Sequence, residues 1–254
     1  MEINSVSALY FSPGGSTRSV ARSVAGGISG EARDFDFTSR AEAAAFGEHD
    51  LAVIAAPVFG GRIPEVFSRF LDSLSAKGSP ALVLAVYGLR AYDDALVELA
   101  DRAKARGFRV IAAGAFIARH SMAPEIAAGR PDEADREAMA AFSRAVRDKL
   151  ASDDLSEPAI PGNRPYKSYG GVPLHPSANR QRCLKCGKCA RECPVGAIPA
   201  DQPWKTENAK CITCMHCVFT CPNFARGLNP VLLAATRTKL KKACSTPRRP
   251  EIFI

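Results

Sequence analysis

The sequence lacks several features that would narrow its function at once. No apolar run among its 254 residues approaches the ~18 residues of a membrane-spanning helix, so no membrane span is expected. No G-x-G-x-x-G loop follows a predicted strand, so nothing indicates a dinucleotide site. The formal net charge is +8, but no basic helix carries interleaved aromatic residues, and we expect no nucleic acid partner. No basic and then apolar leader opens the sequence, which favours a reducing, cytoplasmic location.

Cysteine is abundant, and it is concentrated in one region. Eight of the nine cysteines lie in two runs of the form C-x2-C-x2-C-x3-C-P, and the second run repeats the first at an offset of 28 residues. Three thiolates on a tight loop can each hold one iron of a cubane cluster, and in bacterial-type motifs the distant fourth cysteine serves the other cluster. We therefore predict two 4Fe–4S clusters. Their ligands are Cys183, Cys186, Cys189 and Cys221 for one cluster, and Cys211, Cys214, Cys217 and Cys193 for the other.

Two other readings of the cysteine runs are less favourable. Zinc accounts for C-x2-C pairs, but it does not account for the third and fourth cysteine of each run. A disulfide framework does not suit a long chain in a reducing compartment.

Strand and helix patterns alternate through residues 1–155. This alternation predicts an α/β domain with a doubly wound parallel five-stranded sheet. The predicted strands cover residues 6–11, 34–37, 51–56, 81–86 and 110–116.

Three loops should meet at the carboxyl ends of these strands, where such sheets bind ligands. The first, S-P-G-G-S-T, joins a strand to a helix N-terminus and so predicts a phosphate site; the alternative is an ordinary turn with a Ser or Thr N-cap. It has no lysine, unlike a triphosphate P-loop. The other two loops bring glycines and aromatic rings, on which a flat ligand could stack. The candidate binding residues are Ser12, Gly14, Gly15, Ser16, Thr17, Pro57, Val58, Phe59, Gly60, Gly61, Tyr87, Gly88, Arg90, Tyr92 and Asp93.

At this point the chain resembles a known family. S-P-G-G-S-T is similar to the flavodoxin phosphate signature (T/S)-x-T-G-x-T, with Ser12, Gly15 and Thr17 matching and Gly14 departing from it. P-V-F-G-G-R-I-P and Y-G-L-R-A-Y-D-D are similar to the flavin-ring loops of fused flavodoxin–ferredoxin proteins, whose carboxyl-terminal half the cysteine runs also match. The resemblance implies bound FMN in the first domain and a small α+β bacterial ferredoxin-like domain after it. The alternative is that Phe59 and Tyr92 are rim residues of a domain that binds no flavin.

The remaining segments complete the predicted organisation. Residues 156–176 are rich in proline and glycine and read as a linker, followed by a 2×4Fe–4S domain over 177–230. Residues 231–254 form a basic tail, either solvated or a docking surface for an acidic partner. Cys244 is expected to be a spare thiol. Arg62 and Arg90 are either surface arginines or stabilisers of an anionic reduced flavin.

These features predict an electron-transfer protein. It would pass electrons between the two clusters and FMN and exchange them with a redox protein, either a ferredoxin or an iron–sulfur/flavin enzyme. The alternatives are a flavin-dependent reductase of a small molecule fed by the clusters, and a redox sensor. We find no catalytic acid–base pair in the sequence, which favours the carrier.

Overall fold

A computed structural model describes residues 1–40 and 43–254 of the chain. The first domain alternates strands and helices, as the apolar patterns predict. Its strands are β1 Ser5–Tyr10, β2 Ala32–Asp36, β3 Ala44–Phe46, β4 Asp50–Pro57, β5 Leu74–Ala76, β6 Pro80–Tyr87 and β7 Arg109–Ile117. Its helices are α1 Ser16–Ile28, α2 Glu65–Leu71, α3 Ala95–Ala105 and α4 Glu133–Ala151.

The central sheet contains five parallel strands in the order β2-β1-β4-β6-β7. If these five strands alone are numbered along the chain, their order is 2-1-3-4-5, which is that of the flavodoxin-like doubly wound fold. Residues 51–56 of β4 and all of β6 are buried, since helices cover both faces of the sheet. One core layer lies between the sheet and α2 and α3, and the other between the sheet and α1 and α4. β3 and β5 form a separate two-stranded parallel sheet.

The cysteine-rich domain follows a linker without regular structure and contains only short elements. These are β8 Ser177–Ala178, α5 Lys188–Arg191, α6 His216–Phe219 and β9 Arg226–Gly227. β8 and β9 pair in antiparallel fashion, and α5 and α6 are related by the same 28-residue offset as the cysteine runs.

The basic tail is not a free extension, unlike the solvated segment that its composition suggests. It forms α7 Pro230–Ala243 and β10 Glu251–Phe253. The Asn229 side chain caps α7, and Pro230 occupies its first turn, where a missing N–H costs nothing. β10 then pairs antiparallel with β7 and makes the sheet six-stranded instead of five-stranded. An otherwise open sheet edge is thereby covered.

Cys244, the ninth cysteine, ends α7 and is buried against Ala123 and Ile126 of the first domain. Its thiol lies 3.5 Å from the carbonyl oxygen of Gly88. Within the described ranges, no helix has both the length and the apolar character needed to cross a bilayer.

Candidate functional site

A cavity of about 230 Å³ opens at the carboxyl ends of the parallel strands. It brings together most of the residues that the three loops predict. Those on its wall are Gly14, Ser16, Thr17, Pro57, Val58, Phe59, Gly60, Gly61, Tyr87, Gly88 and Arg90. The other four candidates, Ser12, Gly15, Tyr92 and Asp93, are not among the residues that line it.

The N-terminus of α1 is left open toward this cavity. Gly15 caps the helix at φ 85° without a side-chain hydrogen bond, and the first turn contains no acidic residue. The N-cap residue is therefore Gly15 and not a Ser or Thr. Ser12 instead shapes the loop, since its hydroxyl accepts a hydrogen bond from the Arg18 amide at 2.8 Å and its own amide donates to Thr38 Oγ1 at 3.0 Å. Unpaired amides and the positive end of the helix dipole together suit an anion.

The cysteine-rich domain packs against the same loop. A Cβ atom on Gly14 would lie 3.2 Å from Cε2 of Phe219, so the hydroxyl-bearing residue of the flavodoxin signature would be crowded here. His216 Nδ1 lies 3.0 Å from the carbonyl oxygen of Pro13, and its side chain is 14% exposed. The departure at Gly14 thus has a packing reason, which is the approach of the second domain.

The loop after β4 is a tight turn closed by reciprocal hydrogen bonds between the backbones of Phe59 and Arg62, at 2.9 and 3.2 Å. Gly60 lies at φ 62°, and a Cβ on it would overlap the ring of Tyr169 from the linker. Tyr169 therefore covers this loop and forms part of the cavity wall. The linker contributes to the site, which the sequence pattern left open.

Tyr92 is not among the residues that line the cavity, so it does not offer its ring for stacking against a ligand there. It is 8% exposed, its ring packs 5.6 Å from that of Tyr87, and its hydroxyl donates a 2.7 Å hydrogen bond to Glu251 of β10. Burial and the Glu251 carboxylate raise the pKa of Tyr92. Asp93 pairs with Arg90 and, at 3.1 Å, with Lys167. Burial opposes ionisation of Asp93, but these cations outweigh it and lower its pKa.

The two arginines considered as flavin stabilisers have different positions. Arg62 makes a bidentate pair with the buried Glu98 at 2.6 and 2.7 Å, donates to the Lys167 carbonyl at 2.7 Å and stacks over Tyr166 at 4.9 Å. It holds the linker to α3 and is not among the cavity residues. Arg90 does line the cavity, so the flavin-stabilising hypothesis applies to Arg90 alone.

Sequence reasoning missed His120, which lines the cavity. Its Nδ1 accepts a hydrogen bond from the Met122 amide at 3.2 Å, and burial lowers its pKa. The available signal was its position three residues after β7 at the binding edge of the sheet.

Two further cavities lie inside the cysteine-rich domain, and four cysteines surround each. The cysteines are Cys183, Cys186, Cys189 and Cys221 around one, and Cys193, Cys211, Cys214 and Cys217 around the other. Each cavity thus has three cysteines from one run and one from the other. Burial raises the pKa of the Cys214 thiol to about 12 and that of Cys217 to about 11, so thiolates here need a compensating cation.

The two cysteine loops share their backbone geometry at the 28-residue offset. Three pairs of residues adopt matching left-handed φ angles, namely Lys185 and Thr213 (54° and 54°), Gly187 and Met215 (72° and 66°), and Gly196 and Phe224 (61° and 49°). The fourth cysteine of each run also accepts an amide hydrogen bond from the residue four positions later, at 3.3 Å for Cys193 and 3.2 Å for Cys221. An internal pseudo-two-fold relation therefore holds in the backbone as well as in the sequence.

One side chain breaks this internal symmetry. Arg226 is 5% exposed, and its Nη1 lies 3.8 Å from Cys189 Sγ and 2.6 Å from the Pro203 carbonyl oxygen. Its counterpart 28 residues earlier is Ile198, which is equally buried. Sequence reasoning missed Arg226, although a charged residue at an otherwise apolar repeat position was a visible signal.

The cavity at the sheet edge and the second cysteine cavity share a wall. Ile212 and Cys214 line both of them. Leu240 of α7 lines the first cavity on another side. Residues of the second cysteine run therefore lie between the two cavities.

Part of the cysteine-rich region matches a known family. Residues 175–222 match the 4Fe–4S dicluster domain family. YccM of Escherichia coli, which is described as an electron transport protein, is 38% identical over 63 residues, or 23% of this chain and 17% of that protein. The ferredoxin-like protein YdhX of the same organism is 37% identical over 62 residues, or 23% of this chain and 28% of that protein. The chain thus spans well under a third of either relative.

Flavodoxins are found among solved structures that match the first domain. An archaeal flavodoxin matches 58% of this chain and 99% of its own at 16% identity, with a TM-score of 0.42. The fold assignment rests on the strand order itself. The chain thus joins a sheet with the flavodoxin-like strand order to a segment that matches the 4Fe–4S dicluster domain family.

Proposed function

We propose that this protein is an electron carrier that passes electrons between two 4Fe–4S clusters and a bound FMN and exchanges them with a separate redox protein. The observation that carries the proposal is the shared wall, since Cys214 borders both the cavity at the sheet edge and one of the four-cysteine cavities. FMN supplies one- or two-electron chemistry when bound, whereas each cluster supplies one electron at a time. Cys214 would then be the shortest route between them.

The residues at the sheet edge suit FMN. The uncapped N-terminus of α1, with Ser16 and Thr17 in its first turn, offers amides and hydroxyls to a phosphate. Val58, Phe59 and Gly88 offer an apolar surface for a ring, and the Arg90 guanidinium, which is paired with Asp93, lies at its edge. A guanidinium there would stabilise an anionic reduced ring.

The two sets of four cysteines suit iron–sulfur clusters better than zinc. In residues 1–40 and 43–254, no three thiol, imidazole or carboxylate side chains converge closely enough to hold a single metal ion. A cubane spreads its ligands over four corners, so it needs a wider arrangement than tetrahedral zinc does. Apolar neighbours of the second set, among them Val195, Ile198 and Met215, would exclude water from the cluster.

A second candidate function is reduction of a small molecule at the flavin. It is favoured by His120, a half-buried imidazole that could hold a proton at the cavity wall. Against it stands the size of the cavity, about 230 Å³, because a bound flavin ring would take up most of this space and leave little room for a substrate beside it. We therefore favour the carrier.

Anaerobic purification followed by iron, sulfide and flavin analysis tests the proposal. We expect about eight iron atoms per chain and one FMN. Anaerobic reductive titration should then show the flavin and the clusters exchanging electrons within one molecule. Protein without iron, or with iron and no flavin even after reconstitution, would contradict the proposal.

A further inference from the structure

The internal repeat identifies a surface that corresponds to the wall between the two sites. Adding 28 to the residue numbers converts Leu184, Lys185 and Cys186 into Ile212, Thr213 and Cys214. The second trio lines the cavity at the sheet edge. By the pseudo-two-fold relation, the first trio presents the equivalent face of the other four-cysteine cavity, and all three of its residues are exposed.

Exposure of the side chains agrees with this relation. Cys214 is 9% exposed, whereas Cys186 is classed as exposed and Leu184 is 66% exposed. Leu184 and Cys186 border the first four-cysteine cavity, as Ile212 and Cys214 border the second. A large apolar side chain thus faces solvent directly beside a cluster ligand.

A second exposed apolar side chain lies near the first. Phe224 is 76% exposed, and the residue before it, Asn223, donates through Nδ2 to the Arg182 carbonyl oxygen at 2.6 Å. This bond joins the segment of Phe224 to that of Leu184. We call Leu184, Lys185, Cys186 and Phe224 the Leu184 face. Single exposed apolar residues need no explanation, but two around an exposed ligand mark a contact surface.

The charge around this face has one dominant sign. Between residues 180 and 192 the basic residues are Arg180, Arg182, Lys185, Lys188 and Arg191. The single acidic residue of that stretch, Glu192, lies 3.9 Å from Lys188. Such a rim attracts a partner with an acidic surface and increases its association rate.

We propose that the Leu184 face is the docking surface for a separate one-electron redox protein with an acidic rim around its own cofactor. This inference rests on the proposed function, since it assumes a cluster bound by the first set of cysteines. Each encounter oxidises the centre of the partner by one electron and reduces that cluster by one electron, and no bond or proton moves. The Leu184 face would thus contact the external partner in the same way that Ile212, Thr213 and Cys214 contact the cavity at the sheet edge.

The test uses the reconstituted holoprotein and a photoreduced, acidic 2Fe–2S ferredoxin as electron donor. We expect Leu184→Gln and Lys185→Glu to slow anaerobic reduction of the clusters by this ferredoxin about tenfold at low salt. Salt should slow the parent protein and affect Lys185→Glu much less. Reduction by dithionite, which needs no docking, should be unchanged in both variants.

Lys241→Glu in α7 is the matched control, since it makes the same charge change on the basic tail. An unchanged ferredoxin rate in both face variants would overturn the proposal, and a slower rate in Lys241→Glu alone would assign docking to α7. If Lys185→Glu loses iron, the rate of Lys185→Gln decides instead. Failure of the proposed function would look different, because the ferredoxin would then reduce the clusters without reducing the flavin.

Discussion

Arg226 should make the two clusters unequal, and its effect can be estimated from the structure. Its Nη1 is 3.8 Å from Cys189 Sγ, and two unit charges at that distance interact by roughly 4 kcal/mol at an effective dielectric constant of about 20. An added electron is shared over a whole cluster, so we take about a quarter of this, or roughly 1 kcal/mol. For a one-electron couple this equals about 40 mV, since a tenfold change in equilibrium is about 59 mV.

Arg226→Gln removes the charge but keeps donors for the carbonyl oxygens of Pro176 and Pro203. Because a positive charge favours the reduced, more negative cluster, we expect the midpoint potential of the cluster held by Cys189 to fall by about 40 mV, and that of the cluster held by Cys217, which Arg226 also affects, to fall by less. Anaerobic redox titration followed by EPR measures both midpoints. Arg226→Lys keeps the charge and should shift the potential less, and Ile198→Gln is the control at the symmetry-related position. Two midpoints that do not move in Arg226→Gln would refute the electrostatic argument.

Three further predictions concern the clusters, the loop and the linker. Cys221→Ser should remove iron from the set that includes Cys183 and largely spare the other set, as iron analysis and EPR would show; equal damage to both would contradict cross-ligation. Gly14→Thr, which restores the hydroxyl of the signature, should weaken FMN binding because the Phe219 ring lies 3.2 Å from the new Cβ position. Adding Phe219→Ala should recover the loss in a flavin fluorescence titration, and tighter binding by Gly14→Thr alone would refute the packing reason. Arg62→Ala should cost about 3 kcal/mol of unfolding free energy, because Glu98 is 4% exposed and would lose its partner. Denaturant unfolding measures this loss, and Glu98→Gln in the same chain should restore part of it.

Much of the fold was accessible from sequence because it depends on local patterns. The predicted strands at 51–56 and 81–86 coincide with the buried centres of β4 and β6, where continuous apolar runs require cover on both faces. The strands Ala44–Phe46 and Leu74–Ala76 are too short for an apolar pattern to predict them from the sequence. Residues 41 and 42 lie outside the part of the chain that the structure describes.

The remaining features depend on contacts between distant segments. Glu251 engages the hydroxyl of Tyr92 across 159 positions, so an aromatic residue that reads as a stacking platform becomes an anchor for the tail. Tyr169 reaches Gly60 from a linker that Arg62, Asp94 and Asp101 hold against the first domain. Composition indicated a linker without regular structure and a basic tail that is either solvated or a docking surface, and it does not reveal which surface either segment covers.

The sixth strand has a consequence for how the protein is made. β10 completes the edge of the first domain, yet it is synthesised after all eight cysteines of the two runs. During synthesis, the edge strand β7 of the first domain therefore has no β10 to pair with until the cysteine-rich domain has been made. The first domain therefore depends on the end of the chain for its sixth strand. A fragment that ends at residue 155 would keep the order of its parallel strands but expose the edge of β7 with which β10 pairs.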